Sequence, residues 1–174
     1  TRRSQGYAEV KRFARLLSSA ISQAVRKSRP VRSLPWEVSS RMLQLRPRRP
    51  SSIAKAQLEL SLARAELKSA QDHGSLRQLT TRVEAAREML HRARKGIRVP
   101  PCEIQTIRLG EFRLLAVPLE LAAVTGRRLL RKYDMVVCYA NGYAGYLVPD
   151  GGDYEGMMSS IDPAELGRFE RLVR

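Results

Sequence analysis

The side chains best suited to chemistry in this sequence are one carboxylate and a group of phenols in its last third. The carboxylate is Glu120, and four of the six tyrosines cluster in the glycine-rich segment after it, at Tyr139, Tyr143, Tyr146 and Tyr154. A carboxylate can bind a metal or move a proton, and a phenol can donate a hydrogen bond to a carbonyl oxygen or bind a metal as phenolate. The same groups can also have a purely structural role, in which the carboxylate stabilises a helix end and the phenol rings pack against each other.

Two elements must position these groups, a helix and the strand after it. Pro118 suits the first turn of a helix, so the sequence predicts a helix over residues 119–133. Glu120 would lie in its first turn, where a carboxylate stabilises the helix by about 0.3–1 kcal/mol. The apolar run at residues 135–140 predicts a strand buried on both faces. The glycine-rich loop that follows would let side chains point into a cleft.

The rest of the last third predicts further strand and helix. Apolar and polar residues alternate over 104–109, and Gly110 and Glu111 form a turn before a mostly apolar run at 112–117. This pattern predicts a β-hairpin. Residues 160–174 predict a closing helix, whose start has the order of cap, proline and acid found at helix beginnings.

The first fifty residues predict a helix and an extended segment. Apolar side chains recur at helical spacing over residues 7–25, so a helix is expected there. Prolines at 30 and 35 prevent its continuation, and residues 36–45 follow as an extended segment. Residues 46–50 contain two prolines and three arginines and are expected to be a linker.

The most regular periodicity lies between these parts. Two stripes repeat with alternating steps of three and four residues: Ile53, Ala56, Leu60, Ala63, Leu67 and Ala70, then Leu76, Leu79, Val83, Ala86, Leu90 and Ala93. Such stripes are typical of helices that pack along each other. The sequence therefore predicts an antiparallel helical hairpin.

These elements together predict an α/β (α+β) fold, with a mixed sheet segment, flanking helices and the inserted helical hairpin. We expect three parts: residues 1–50, a helix plus extended segment of a partial catalytic domain; 51–97, the hairpin insertion; and 98–174, the carboxy-terminal part of that domain. The first residue is Thr1 and the first segment is already helical in pattern. We therefore expect a fragment or a processed product.

The net charge of +15 is concentrated in the first half. Residues 1–50 carry 13 basic and 2 acidic side chains, whereas residues 101–174 carry 9 and 10. An alternative function follows, a non-catalytic basic module that docks a polyanion or protein partner through residues 1–97. Nucleic acid is not favoured, because no aromatic interleaving or known nucleic-acid motif accompanies the charge. An anionic membrane surface remains open as a partner.

Four short motifs follow one another along the last third. Pro118-Leu119-Glu120 is followed by Gly126-Arg127-Arg128-Leu129, then by Asn141-Gly142-Tyr143-Ala144-Gly145-Tyr146, and finally by Tyr154-Glu155-Gly156. In this order they resemble the carboxy-terminal part of the catalytic domain in the neutral and alkaline non-lysosomal ceramidase family, and its shorter bacterial members most closely. One departure is Leu119, which stands where the family usually has glycine.

The resemblance implies a zinc-dependent amide hydrolase acting on N-acyl sphingoid lipids or related amides and esters. It implies Glu120 and Tyr146 as zinc ligands and Tyr154 as the donor that contacts the scissile amide oxygen. Asn141, Tyr143 and Glu155 would bind substrate or support the site. Zinc would lower the pKa of its bound water and polarise the carbonyl.

The resemblance also implies residues that this sequence does not contain, two ligand histidines and a catalytic serine from earlier motifs of the family. The histidines present, His73 and His91, fall in the predicted hairpin, and Cys102 and Cys138 have no metal-ligand spacing. We therefore expect the chain alone to be inactive and to need the missing amino-terminal part of the same domain. The resemblance allows a secreted or periplasmic location, although the sequence shows no signal pattern.

Overall fold

The computed structural model describes residues 6–30, 34–70, 73–151 and 154–173. Contacts within the chain divide it into two compact units, Thr1–Leu34 and Pro35–Arg174. The first unit contains one helix in its described part, α1 (Tyr7–Lys27), over the residues whose periodicity predicts it. The elements of the second unit are β1 (Trp36–Leu43), α2 (Ile53–Lys68), α3 (His73–Lys95), β2 (Cys102–Leu109), β3 (Phe112–Ala116), β4 (Glu120–Leu121), α4 (Ala123–Leu129), β5 (Met135–Val137), β6 (Tyr146–Leu147), α5 (Tyr154–Met158) and α6 (Glu165–Leu172).

A four-stranded mixed sheet in the order β1-β2-β3-β5 organises the second unit. β2 and β3 form the predicted hairpin around Gly110, which has a φ of 60° that glycine adopts without steric cost. β1 pairs with β2 in antiparallel register from Trp36 with Leu109 to Leu43 with Cys102, and β5 runs parallel to β3. The α/β class, a mixed sheet with flanking helices, is thus confirmed.

The core lies between this sheet and the closing helix α6. Its fully buried members include Leu45, Leu115, Leu119, Ile161 and Phe169. Apolar burial of this kind contributes about 25 cal/mol per Å² of surface removed from water. The core therefore fixes the backbone of residues 115–119, from which the strand β4 continues.

The helices α2 and α3 pack against each other through a second, smaller cluster. Leu60 and Ala63 on α2 meet Val83 and Ala86 on α3, all members of the two predicted stripes. Glu66 and Arg82 form an ion pair between the two helices. Whether this part is an insertion, with bounds at residues 51 and 97, stays a prediction, because packing records contacts and not evolutionary origin.

The predicted helix over residues 119–133 is wrong at both ends. α4 covers only Ala123–Leu129, and Glu120 lies on β4 and not in the first turn of a helix. The cause is tertiary, because β4 pairs with β6 and this pairing outweighs the local preference of Pro118 for a helix start. β5 is also less buried than predicted, since Met135 is 47% exposed.

One acidic group in the core is fully buried and doubly paired. The carboxylate of Glu165 accepts hydrogen bonds from Arg46 Nε at 2.5 Å and from Arg168 Nη1 at 2.8 Å. Burial by itself would raise the pKa of Glu165, but the two guanidinium groups outweigh it and hold the pKa below its ordinary value of 4.5. The pair joins α6 to the segment after β1.

Replacing Glu165 with Gln is expected to lower the free energy of unfolding at pH 7 by about 1–3 kcal/mol. A carboxylate with a depressed pKa in the folded state stabilises the fold above its unfolded pKa, and this contribution is lost as the pH falls through the folded pKa. The difference between wild type and variant should therefore shrink below about pH 4.5. Urea unfolding at several pH values measures it, with Glu111→Gln in the exposed β2–β3 turn as control. A difference that does not change with pH would contradict the assignment.

Candidate functional site

The strands β4 and β6 place the sequence-predicted carboxylate beside one of the predicted phenols. They pair in parallel, with Glu120 in register with Tyr146 and Leu121 with Leu147. The Glu120 amide donates to the carbonyl of Gly145 at 3.0 Å. Since Leu119 is buried in the core and successive side chains of an extended chain point to opposite sides, Glu120 faces away from the core. The two residues implied as metal ligands are therefore neighbours.

Three phenols surround the Glu120 carboxylate. The hydroxyl of Tyr143 donates to Glu120 Oε1 at 2.6 Å. Partial burial would raise the pKa of Glu120, but the neighbouring phenols of Tyr139, Tyr143 and Tyr146 together lower the pKa below its ordinary value of 4.5. Glu120 is therefore ionised at neutral pH and accepts a hydrogen bond from Tyr143.

The same contacts keep the phenols protonated. Interaction with the Glu120 carboxylate, followed by burial, raises the pKa of Tyr139 to about 12. Burial, with the charge and hydrogen bond of Glu120 added, also raises the pKa values of Tyr143 and Tyr146 above the ordinary value of 10. All three are O–H donors at neutral pH. A cation bound beside Glu120 would lower the pKa values of these phenols, because positive charge favours the phenolate form.

The loop between β5 and β6 holds one of these phenols and a neighbouring asparagine in an uncommon backbone conformation. Tyr139 and Asn141 have φ values of 58° and 61°, a left-handed region that costs a non-glycine residue about 1–3 kcal/mol. The rings of Tyr139 and Tyr143 stack with centroids 5.5 Å apart and planes 5° from parallel. Asn141 thus lies in the turn of this loop, and its role in binding substrate or supporting the site stays a prediction. Tyr139 is a site residue that the motifs do not single out, and only its place in the tyrosine cluster could have indicated it.

The remaining predicted residues lie at the start of α5. The ring of Tyr154 meets that of Tyr146 edge to face, with centroids 6.5 Å apart. Glu155, next to it, lines a cavity of about 490 Å³ together with Glu120 and Tyr146. Apolar groups from Val124 and Val148 form another part of the cavity wall. A volume of this order is typical of small-molecule sites.

The structure thus brings Glu120, Tyr143, Tyr146, Tyr154 and Glu155 into one neighbourhood. Their individual roles stay predictions. In the described part of the chain, no group of three or more His, Cys, Asp and Glu side chains could hold a metal ion. Zinc takes three or four protein ligands, so the carboxylate and phenol found here fit part of a zinc site and do not complete one.

The helix α3 supports the start of α5 through one arginine. Arg92 donates to the carbonyl oxygens of Ser159 at 2.9 Å and Met158 at 2.5 Å, and its Nε pairs with Glu88 at 2.8 Å. These carbonyls end the helix that begins at Tyr154. Arg92 therefore connects the helical pair to the element that carries part of the site.

Replacing Arg92 with Met, which keeps an unbranched apolar stem without the guanidinium donors, is expected to lower the free energy of unfolding by about 1–3 kcal/mol. Hydrogen exchange of the α5 amides should accelerate more than that of β2 and β3, since α5 loses its support locally. Mass-spectrometric exchange of the full chain measures both. Arg87→Met, an exposed position on the same helix, is the control and should leave α5 unchanged. Equal exchange of α5 in the two variants would contradict the role of Arg92.

Comparisons with known proteins give two solved structures. A ceramidase complexed with C2 is 27% identical over 43% of this chain and 14% of its own length, with a TM-score of 0.38. The neutral ceramidase from Pseudomonas aeruginosa is 18% identical over 80% of this chain and 27% of its own length, with a TM-score of 0.48. The chain thus spans well under two thirds of either structure. No protein-family model and no curated protein matches.

Both solved structures are ceramidases, the family that the motifs around Glu120 resemble. The chain is similar to them over part of their length.

Proposed function

We propose that this chain carries part of the active site of a ceramidase-like amide hydrolase. The observation that supports this most is the ionised carboxylate of Glu120, which accepts a hydrogen bond from Tyr143 and lies in register with Tyr146 at a cavity of about 490 Å³. A structural role alone does not require a partly buried carboxylate to lie among three phenols. Substrates would be N-acyl sphingoid lipids or related amides and esters.

In this proposal Glu120 and Tyr146 supply two oxygen ligands of a zinc ion. Bound there, zinc would lower the pKa of a water molecule and polarise the substrate carbonyl. The other ligands, and the serine that the resemblance implies, would come from residues outside this chain. Tyr143 would orient Glu120 through its hydrogen bond to the carboxylate, and Tyr139 and Tyr143 would both keep Glu120 ionised, because both lower its pKa.

Tyr154 would act on the substrate carbonyl. Its ring lies beside that of Tyr146, so a carbonyl held near Tyr146 would be within reach of its hydroxyl. A phenol O–H aimed at this oxygen stabilises the negative charge that develops when the amide is attacked. The apolar wall at Val124 and Val148 offers a surface for a hydrocarbon chain, and Glu155 lies at the same cavity as a supporting group.

Hydrolysis of a fluorogenic N-acyl sphingosine tests the proposal. The chain alone should show no turnover, and a longer protein that adds two histidines and a serine to the site should hydrolyse the amide. Chelation of that protein should abolish turnover and added zinc should restore it. Full activity after removal of bound zinc would overturn the metal assignment. Failure of the completed protein to cleave any amide or ester would overturn the reaction class.

A further inference from the structure

The helix α1 has two chemically distinct faces. Its apolar side chains form one stripe along the whole helix: Tyr7, Val10, Phe13, Ala14, Leu17, Ala20, Ile21 and Ala24. In the described part of the first unit there is no second element to bury this stripe. An amphipathic helix with no partner in its own unit is expected to bind one elsewhere.

The opposite face of α1 is cationic. Lys11, Arg15 and Arg26 lie on it, and the acidic residue of the helix, Glu9, is paired with Arg12 at 2.7 Å. The sequence of residues 1–34 carries nine Lys and Arg against one acidic side chain. The partner must therefore offer negative charge as well as an apolar medium.

We propose that α1 lies on an anionic lipid surface, with its apolar stripe in the acyl boundary and its basic face at the headgroups. A nucleic acid would match the basic face and leave the stripe in water. An apolar protein groove would match the stripe and make no use of the charge on the basic face, which would stay in water. An anionic bilayer interface satisfies both faces of one helix at once.

The expected geometry is a helix in the plane of the interface. In the described part of the chain, no helix combines the length and the apolar character needed to cross a bilayer. A basic polar face with aromatic and aliphatic residues on the other side is the pattern of helices that lie on membranes. The proposal does not rest on the Glu120 site, and either can fail without the other.

Vesicle co-sedimentation of the full chain tests this inference, with phosphatidylcholine vesicles and vesicles that also contain phosphatidylserine. Binding should be much stronger to the anionic vesicles and should weaken as salt increases. Leu17→Glu with Ile21→Glu should reduce it by at least about 20-fold, because two apolar contacts become charged. Lys11→Gln with Arg15→Gln and Arg26→Gln should reduce it by about 100-fold, at roughly fivefold per basic residue.

The helices α2 and α3 supply matched controls. Leu58→Glu with Leu62→Glu changes two exposed apolar residues at the same spacing, and Lys55→Gln with Arg64→Gln and Arg77→Gln removes the same number of charges. Neither set should change binding by more than about twofold. The proposal would be overturned if both α1 variants bound both vesicle types as well as the wild type does. It would also be overturned if the wild type bound neither vesicle type. In that case, self-association that the Leu17 and Ile21 changes abolish would assign the stripe to a second copy of the chain.

Discussion

Replacing Glu120 with Gln in a protein that contains the complete site is expected to lower kcat/KM for an N-acyl sphingosine by at least about 100-fold. Gln has nearly the same size, but it is neutral and lacks one of the two acceptor oxygens. The phenols of Tyr139, Tyr143 and Tyr146 would lose the charge that orients them. Zinc would lose an anionic ligand. A steady-state assay, with the zinc content of the purified variant, measures both effects.

The two readouts separate the possible roles of Glu120. Lost activity together with lost zinc supports a ligand, whereas lost activity with zinc retained would reassign the carboxylate to proton transfer. Glu120 is only partly buried, so the variant should unfold within about 1 kcal/mol of the wild type. Glu111→Gln in the β2–β3 turn is the matched control and should keep full activity. Retention of wild-type activity by Glu120→Gln would contradict the proposed site.

Replacing Leu119 with Ala is expected to lower the free energy of unfolding by about 2–5 kcal/mol. The side chain of Leu119 is 0% exposed and belongs to the main core cluster. Its loss would leave a cavity directly under β4, so the strand that carries Glu120 should loosen as well. Leu119 stands where the resembled family usually has glycine, and its burial shows that this chain uses the position to anchor the site to the core.

Urea unfolding followed by circular dichroism measures the Leu119 effect. Leu130→Ala is the control, because this leucine is 51% exposed and its truncation should cost about 0.5 kcal/mol or less. In the completed enzyme, Leu119→Ala should also lower activity at temperatures where the fold is intact. Equal destabilisation by the two substitutions would show that β4 is not held by the core.

Elements with strong local signals were predictable from the sequence. The β2–β3 hairpin follows from alternation on both sides of Gly110, and α1 follows from an uninterrupted apolar stripe. In such elements the local pattern and the tertiary contacts favour the same structure. The mixed sheet with flanking helices was predictable for the same reason.

The candidate site shows where local patterns fail. Pro118 and Glu120 have the residue types of a helix start, yet the two residues of β4 are fixed by a strand that comes much later in the chain. The left-handed φ of Tyr139 was equally hard to predict from the sequence, because it belongs to a turn that continues through Asn141 and Gly142. The burial of Glu165 depends on Arg46, which lies over a hundred residues earlier. Long-range pairings of this kind leave no periodic trace in a sequence.

The pairing of β4 with β6 consists of only two residue pairs. Leu119, just before β4, and Leu147 on β6 are buried in the core and hold this short pairing in place. If the proposed function holds, Glu120 and Tyr146 are in register before the remaining ligands arrive. The site would then be completed when the segment that carries the remaining ligands docks against this preformed pair.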